Sequence, residues 1–188
     1  MAERSQNVDA TRQRIVEATV FLHGTVGPHN TTISAIAERA GVQRLTVYRH
    51  FPDEKGLFVA CTSHWLSQNP PPDPRSWVNL EPVERRACAA LIALYQYYRA
   101  TAHMWELSLR DESTVPALAE PLAGFRSYLE ETRDHMVSGV GKRRAPWRAY
   151  ATANHTVQFP TWQSLVRGGL TDRQAANLAT KWLIAVYR

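Results

Sequence analysis

The chain is poor in the residue types from which most catalytic and metal sites are made. It has two cysteines, Cys61 and Cys88, which rule out a disulfide-built scaffold and read as reduced packing residues of a cytosolic protein. Its seven histidines form no His-x-x-x-His pair. Cys61 and His64 share a helical face, but two ligands do not make a metal site. There is no Gly-rich phosphate loop and no nucleophile elbow. No apolar run reaches the roughly 18 residues of a membrane span, and Met1 to Asp9 holds no apolar stretch of signal-peptide length. These gaps set expectations of no metal, no cofactor, no membrane partner and a cytoplasmic location. They also disfavour an all-helical enzyme, which turnover of a bound ligand would revive.

Strands are not expected either, because no period-two alternation persists and no internal repeat is visible. The 188 residues, 44% of them apolar, suffice for a core and fit one or two domains. A net charge of +5 and a pI near 9.5 agree with nucleic-acid binding without proving it. The charge is not regional. Residues 1–60 hold seven basic side chains (Arg4, Arg12, Arg14, Arg39, Arg44, Arg49, Lys55) against six acidic ones. Any DNA-binding field there has to come from local arrangement.

Helical periodicity accounts for what remains. A first helix is expected from about Asp9, as N-cap, to Gly24, with Ile15, Ala18, Thr19 and Leu22 inward. Gly27, Pro28 and Asn30 make a turn, and Thr31 or Thr32 caps a second helix. Ile33, Ile36, Ala37 and Ala40 follow the spacing of a buried helix face. Gly41 stops that helix, since glycine takes a left-handed backbone without penalty. A third helix restarts at once. Val42, Val47 and Phe51 suit an inner face, while Gln43, Arg44, Thr46 and Arg49 suit an outer face that meets DNA. The alternative is a helical hairpin that merely packs. A fourth helix carries Leu57, Phe58, Cys61 and Trp65. The run Asn69-Pro70-Pro71-Pro72-Asp73-Pro74 then breaks the chain, because proline lacks the amide donor and clashes with the preceding turn.

This layout resembles the TetR family of bacterial transcription regulators over about residues 12–58. The resemblance is carried by Ile15, Ala18, Thr31-Thr32-Ile33, Ile36-Ala37, Ala40-Gly41-Val42, Thr46-Val47-Tyr48-x-His50-Phe51 and Leu57. It implies an all-α homodimer: an N-terminal three-helix helix-turn-helix DNA-binding domain, plus a larger helical effector-binding and dimerisation domain, about nine helices in all. The boundaries expected are 1–52 for the head, 53–68 for a connecting helix and 75–188 for the body. By analogy Arg44 reaches a base, with guanine matching its two-donor fork. Leu45 stands where the family usually has Gly or Pro and can touch a thymine methyl. Thr46, Tyr48 and His50 hold phosphates, and Arg49 points outward beside them. Thr32 and Ser34 donate to the other strand's backbone. Gln43 reads adenine or caps the third helix. Family members commonly carry Lys at the position of Glu54; here Lys55 is the candidate for that phosphate contact. Leu22-His23 replaces the usual Leu-Phe pair, with His23 expected as a packing residue.

The body is read as helices over about 83–99, 101–110, 115–137 and 146–167, with Pro160 kinking the last, and Gly139–Arg144 as an exposed loop. Gly168-Gly169 ends that helix, and Thr171 to Gln174 form a capping box for a final one. Effector candidates are Tyr98, Trp105, Phe125, His155 and Phe159, each of which core packing also explains. Dimer candidates are Trp162, Val166, Leu178, Trp182 and Val186. The function implied is a repressor that binds a palindromic double-stranded DNA operator as a homodimer and is released by a small hydrophobic or aromatic effector. The alternative is an effector-independent DNA-binding helical protein.

Overall fold

A computed structural model of the chain describes residues 2–138 and 146–186. The described residues form nine α-helices, two short 3-10 turns and no strand. The loop expected over Gly139–Arg144 lies outside them, as does the side chain of Arg4. The helices are α1 (Ala2–His23), α2 (Ile33–Ala40), α3 (Arg44–His50), α4 (Glu54–Gln68), α5 (Val83–Asp111), α6 (Ala119–Val137), α7 (Pro146–Thr156), α8 (Phe159–Arg167) and α9 (Asp172–Ala185). None is long and apolar enough to cross a membrane. The chain divides into two compact units. One comprises Met1–Pro70 with His103–Ala123, the other Pro71–Ala102 with Gly124–Arg188.

In the first unit, Ile15, Val16, Ala18, Ile36, Ala37, Ala40, Val47, Phe51, Leu57 and Cys61 form one buried cluster. Burying each large aliphatic there is worth about 1.5–3 kcal/mol. α1 begins at Ala2, so Asp9 lies inside the helix and is not its N-cap. The α1–α2 turn is held from far along the chain. Asp111, the last residue of α5, accepts from the His29 amide at 3.0 Å and from Arg110 Nε at 2.7 Å. Arg110 also donates to the Val26 carbonyl at 3.2 Å. Gly27 makes this approach possible: its φ is +91°, and a Cβ there would stand 2.6 Å from Asp111 Oδ2.

In the second unit, the helix over Val83–Ala102 belongs to α5, which runs unbroken to Asp111. The two shorter helices expected over 83–110 are therefore one. Thr101 causes no break, because its hydroxyl donates back to the Tyr97 carbonyl at 2.6 Å. The helix expected from Val115 starts instead with a 3-10 turn at Pro116–Leu118, and α6 follows from Ala119.

The largest correction concerns Pro160. The helix expected over 146–167 is not kinked but split into α7 and α8, with Gln158 as the N-cap of α8 and Pro160 in its first turn. A first-turn residue needs no intrahelical amide bond, so proline costs nothing there. The split leaves carbonyls at the end of α7 without helical partners. Tyr95 Oη donates to the Thr156 carbonyl at 2.8 Å and Tyr98 Oη to the Val157 carbonyl at 2.7 Å. Thr161 Oγ1 donates to the His155 carbonyl at 2.6 Å. Beyond α8, the capping box forms as read: Thr171 Oγ1 accepts from the Gln174 amide, and the Gln174 side chain accepts from the Thr171 amide.

Candidate nucleic-acid interface

The helix-turn-helix is built from three local devices. Thr32 caps α2, its Oγ1 accepting from the Ala35 amide at 3.1 Å. Gly41 closes α2 in the left-handed conformation, φ 64° and ψ 40°. The Val42 amide then returns to the Ala37 carbonyl at 2.9 Å. With the chain reversed so tightly, α3 starts at Arg44 and buries Val47 completely.

The opposite side of α3 is left to solvent. Gln43, Arg44, Leu45, Tyr48 and Arg49 are exposed, while Thr46 and His50 are half-buried. Leu45 is 57% exposed and Tyr48 46%, high values for large side chains on so short a helix. Gln43 is the N-cap of α3, but its side chain makes no cap bond. Thr32 and Ser34 are exposed at the start of α2. There the first-turn amides and the helix dipole favour an anion. Thr32, Ser34 and the outward residues of α3 thus all stand exposed on the same helix-turn-helix.

Other cations near this head have internal partners. Arg12 stacks on Phe51, 4.6 Å from the ring centroid, and Arg39 lies 3.1 Å over Phe21. Asp53 caps α4, accepting from the Gly56 amide at 2.6 Å, and Glu54 stands exposed in the first turn. Lys55 pairs with Glu120 at 2.8 Å, which holds its ammonium above the ordinary lysine range. His23 is buried. Its Nδ1 lies 3.7 Å from Cys61 Sγ and its ring 4.6 Å from that of Phe58. Burial pushes the His23 pKa down to about 4, partly opposed by the Asp111 charge. The Cys61 thiol is pushed up to about 12 by the same desolvation. Among the described residues no group of three His, Cys, Asp or Glu is placed to hold a metal.

The effector candidates are placed differently from one another. Tyr98 is fully buried, with ring contacts to Phe125, Phe159 and Trp162. Burial raises its phenol far above the usual range. Trp105 packs in the first unit, edge-on to Trp65. His155 is exposed at the end of α7, so it does not share a helical face with Phe159 and Trp162. Trp162 is buried within the chain, and its Nε1 donates to Asp172 at 2.9 Å. Arg99 binds the same carboxylate at 2.9 Å. Val166, Leu178, Trp182 and Val186 are half-buried. A surface groove of about 510 Å³ in the second unit is lined by Arg85, Cys88, Ile92, Asn177 and Lys181 among others, none of them marked by the sequence. Asp111 and Glu120 carry no local signal either, since their partners lie far away along the chain.

Comparison with known proteins bears on the head and on the fold separately. Residues 15–61 match the model of the bacterial regulatory proteins of the tetR family. Over 56 residues the chain is 38% identical to the HTH-type transcriptional regulator BetI of Serratia proteamaculans. That stretch is 30% of this chain and 28% of BetI, so the chain matches well under a third of the curated relative's length. The BetI of Pectobacterium atrosepticum is likewise 38% identical over 56 residues, 29% of its length. Among solved structures, the multidrug binding protein EbrR, determined with imidazole, is similar at a TM-score of 0.60 and 17% identity, covering 91% of this chain and 93% of its own. A transcriptional regulator from Rhodococcus sp. Rha1 is similar at a TM-score of 0.60 and 17% identity, covering 93% and 96%. At that identity the likeness is one of fold.

Proposed function

We propose that the chain, whose residues 15–61 match the tetR family of bacterial regulatory proteins, is a repressor of that family acting on a palindromic operator as a homodimer. The observation that carries this is the outer face of α3, where Gln43, Arg44, Leu45, Tyr48 and Arg49 stand exposed above a buried Val47. Arg44 presents a two-donor fork to a guanine edge, and Leu45 an apolar surface to a thymine methyl. Thr46, Tyr48 and His50, with Thr32 and Ser34 at the start of α2, hold phosphates and set the register. Two copies pair through α8 and α9, using Val166, Leu178, Trp182 and Val186 with Trp162 as support behind them. The paired heads then engage half-sites about one helical turn apart.

Release follows from a small hydrophobic or aromatic effector that binds the body better in a conformation whose heads no longer match the operator. The aromatic content of the body supports this, as does the likeness in fold to EbrR, a multidrug binding protein. The mutual packing of Tyr98, Phe125 and Phe159 favours a second reading, a DNA-binding regulator without an effector. An effector at those rings has to part them.

One titration tests the reading. The protein is mixed with its own promoter region over a range of salt, with and without small aromatic compounds. A palindromic site bound above background, weaker by specific compounds, is the expected result. Arg44→Ala relaxes sequence preference, while Tyr48→Phe weakens all sites evenly. No site above background sinks the regulator function. Preference untouched by Arg44→Ala removes Arg44 as the base reader.

A further inference from the structure

Lys55 and Glu120 sit in the first turns of two different helices of the first unit, α4 and α6. Their charged atoms are 2.8 Å apart, with side chains 70% and 57% exposed. Their helix positions are not equivalent. A carboxylate at a helix N-terminus complements the partial positive charge of the free amides, so Glu120 is stabilised where it stands. An ammonium at the N-terminus of α4 is at the wrong end of its helix. Lys55 therefore needs an external anion more than Glu120 needs a cation. Glu54 beside it is exposed, and Asp53 is engaged as the cap.

We propose that Glu120 is a built-in counter-ion that occupies Lys55 in the DNA-free protein and competes with a DNA phosphate for it. The proposal rests on the DNA-reading function above. Lys55 lies five residues beyond the end of α3, in the first turn of α4, and is the cation left for a phosphate contact there, where Glu54 cannot serve. Its donors face two anions in turn: a tethered carboxylate and a strand phosphate. Binding to DNA exchanges one for the other, so the gain from that contact is largely offset. With the carboxylate still nearby, the local charge facing DNA is close to neutral, and fewer condensed cations leave the duplex. The head is near neutral overall, so damping one cation is a sizeable change in its field. Glu120 is thus a residue that tunes affinity without touching DNA.

The test is a four-protein cycle: wild type, Glu120→Gln, Lys55→Ala and the double variant. Each binds a mixed-sequence duplex several helical turns long over a salt series. A sequence-neutral duplex suffices because phosphate contacts are read without an operator. Glu120→Gln is expected to bind about two- to five-fold tighter at low salt, the range of an exposed ion pair. Its slope of log K against log salt should steepen by about 0.9, one added phosphate neutralisation. Lys55→Ala should weaken the Glu120→Gln protein by a larger factor than the wild type, and the double variant should match Lys55→Ala. A purely structural pair predicts a changed melting temperature with an unchanged salt slope. That result, or an additive cycle in proteins that bind DNA, overturns the proposal alone. If the wild type and Glu120→Gln both fail to bind any duplex, the DNA-reading function falls and this proposal with it.

Discussion

On α3 of the first unit, Leu45 and Tyr48 are about half exposed, and the neighbouring Arg44 is exposed with them. On α5 of the second unit, Tyr95 and Tyr98 are fully buried, and each phenol donates to a carbonyl freed at the end of α7. The two units use similar side chains in opposite ways. In one, large and polar groups face outward over a core of aliphatics and phenylalanines. In the other, they close a break in the unit's own backbone. Removing a side chain should therefore cost stability in the body and recognition in the head. The largest test is Tyr98→Ala. Truncating a buried aromatic leaves a cavity, and a loss of about 3–5 kcal/mol is expected by denaturant unfolding. A loss under about 1 kcal/mol would mean that the rings already part readily. That would favour a body able to admit an effector.

His23 makes an exception inside the head, because there a polar ring is buried. Its pKa is depressed to about 4 by burial, against about 6.5 for a free imidazole. The unfolded chain therefore takes up the proton first. The stability that neutral His23 permits is present in full above about pH 6.5 and declines as the pH falls toward 4, by about 3 kcal/mol at most. Melting curves from neutral to mildly acid pH should show that decline, and His23→Phe should flatten it. Equal slopes in both proteins would place the proton elsewhere. Asp111 comes next in size and loses its contribution in the same direction, on acidification, but at lower pH. Its pKa is held down by the hydrogen bond from Arg110, with help from the His29 amide. Its contribution is present above the ordinary carboxylate range and is lost as the pH falls through its lowered pKa. Asp111→Ala should cost about 1.5–3 kcal/mol at neutral pH, the worth of a charge-assisted hydrogen bond. The variant should converge with the wild type in strong acid. A neutral-pH cost near zero would show that the turn over Val26–His29 holds itself.

The contrast between the units also explains what could be read in advance. The α2–α3 turn was legible because everything that makes it is local: a capping Thr32, a left-handed Gly41 and inward residues at helical spacing. The exposure of Gln43, Arg44 and Arg49 was legible for the same reason, whereas Thr46, read with them, is half-buried. Pro160 was half legible. Local rules say that no helix passes smoothly through it, and allow either a kink or a restart. Tyr95 and Tyr98 support the restart, from about sixty residues upstream. His29 with Asp111 and Lys55 with Glu120 were illegible, since neither partner's neighbourhood signals the other. Asp9 misled because a good cap residue can equally sit within a helix when the chain before it continues helical. Trp162 has an apolar ring on the expected face, but its indole nitrogen is engaged by Asp172, which pattern alone does not reveal.

The smallest effect tests the head most sharply. Arg44→Ala and Leu45→Ala remove exposed side chains from the first turn of α3 without touching Val47 or the cap of α2. Substitutions of this kind usually move stability by no more than about 0.5 kcal/mol. Alanine also favours helix more than the residues it replaces, which offsets any lost contact. The melting temperature should stay within a degree or so, as expected when so little free energy is at stake. On DNA the same two changes should act unevenly. Arg44→Ala lowers discrimination by about 1–3 kcal/mol at the base it reads. Leu45→Ala should matter only opposite thymine, and replacing that thymine by deoxyuridine should reproduce the loss in the wild type. If either variant instead melts several degrees lower, its side chain is holding the fold. The head would then share the inward habit of the body, and the division of labour between the two units would fail.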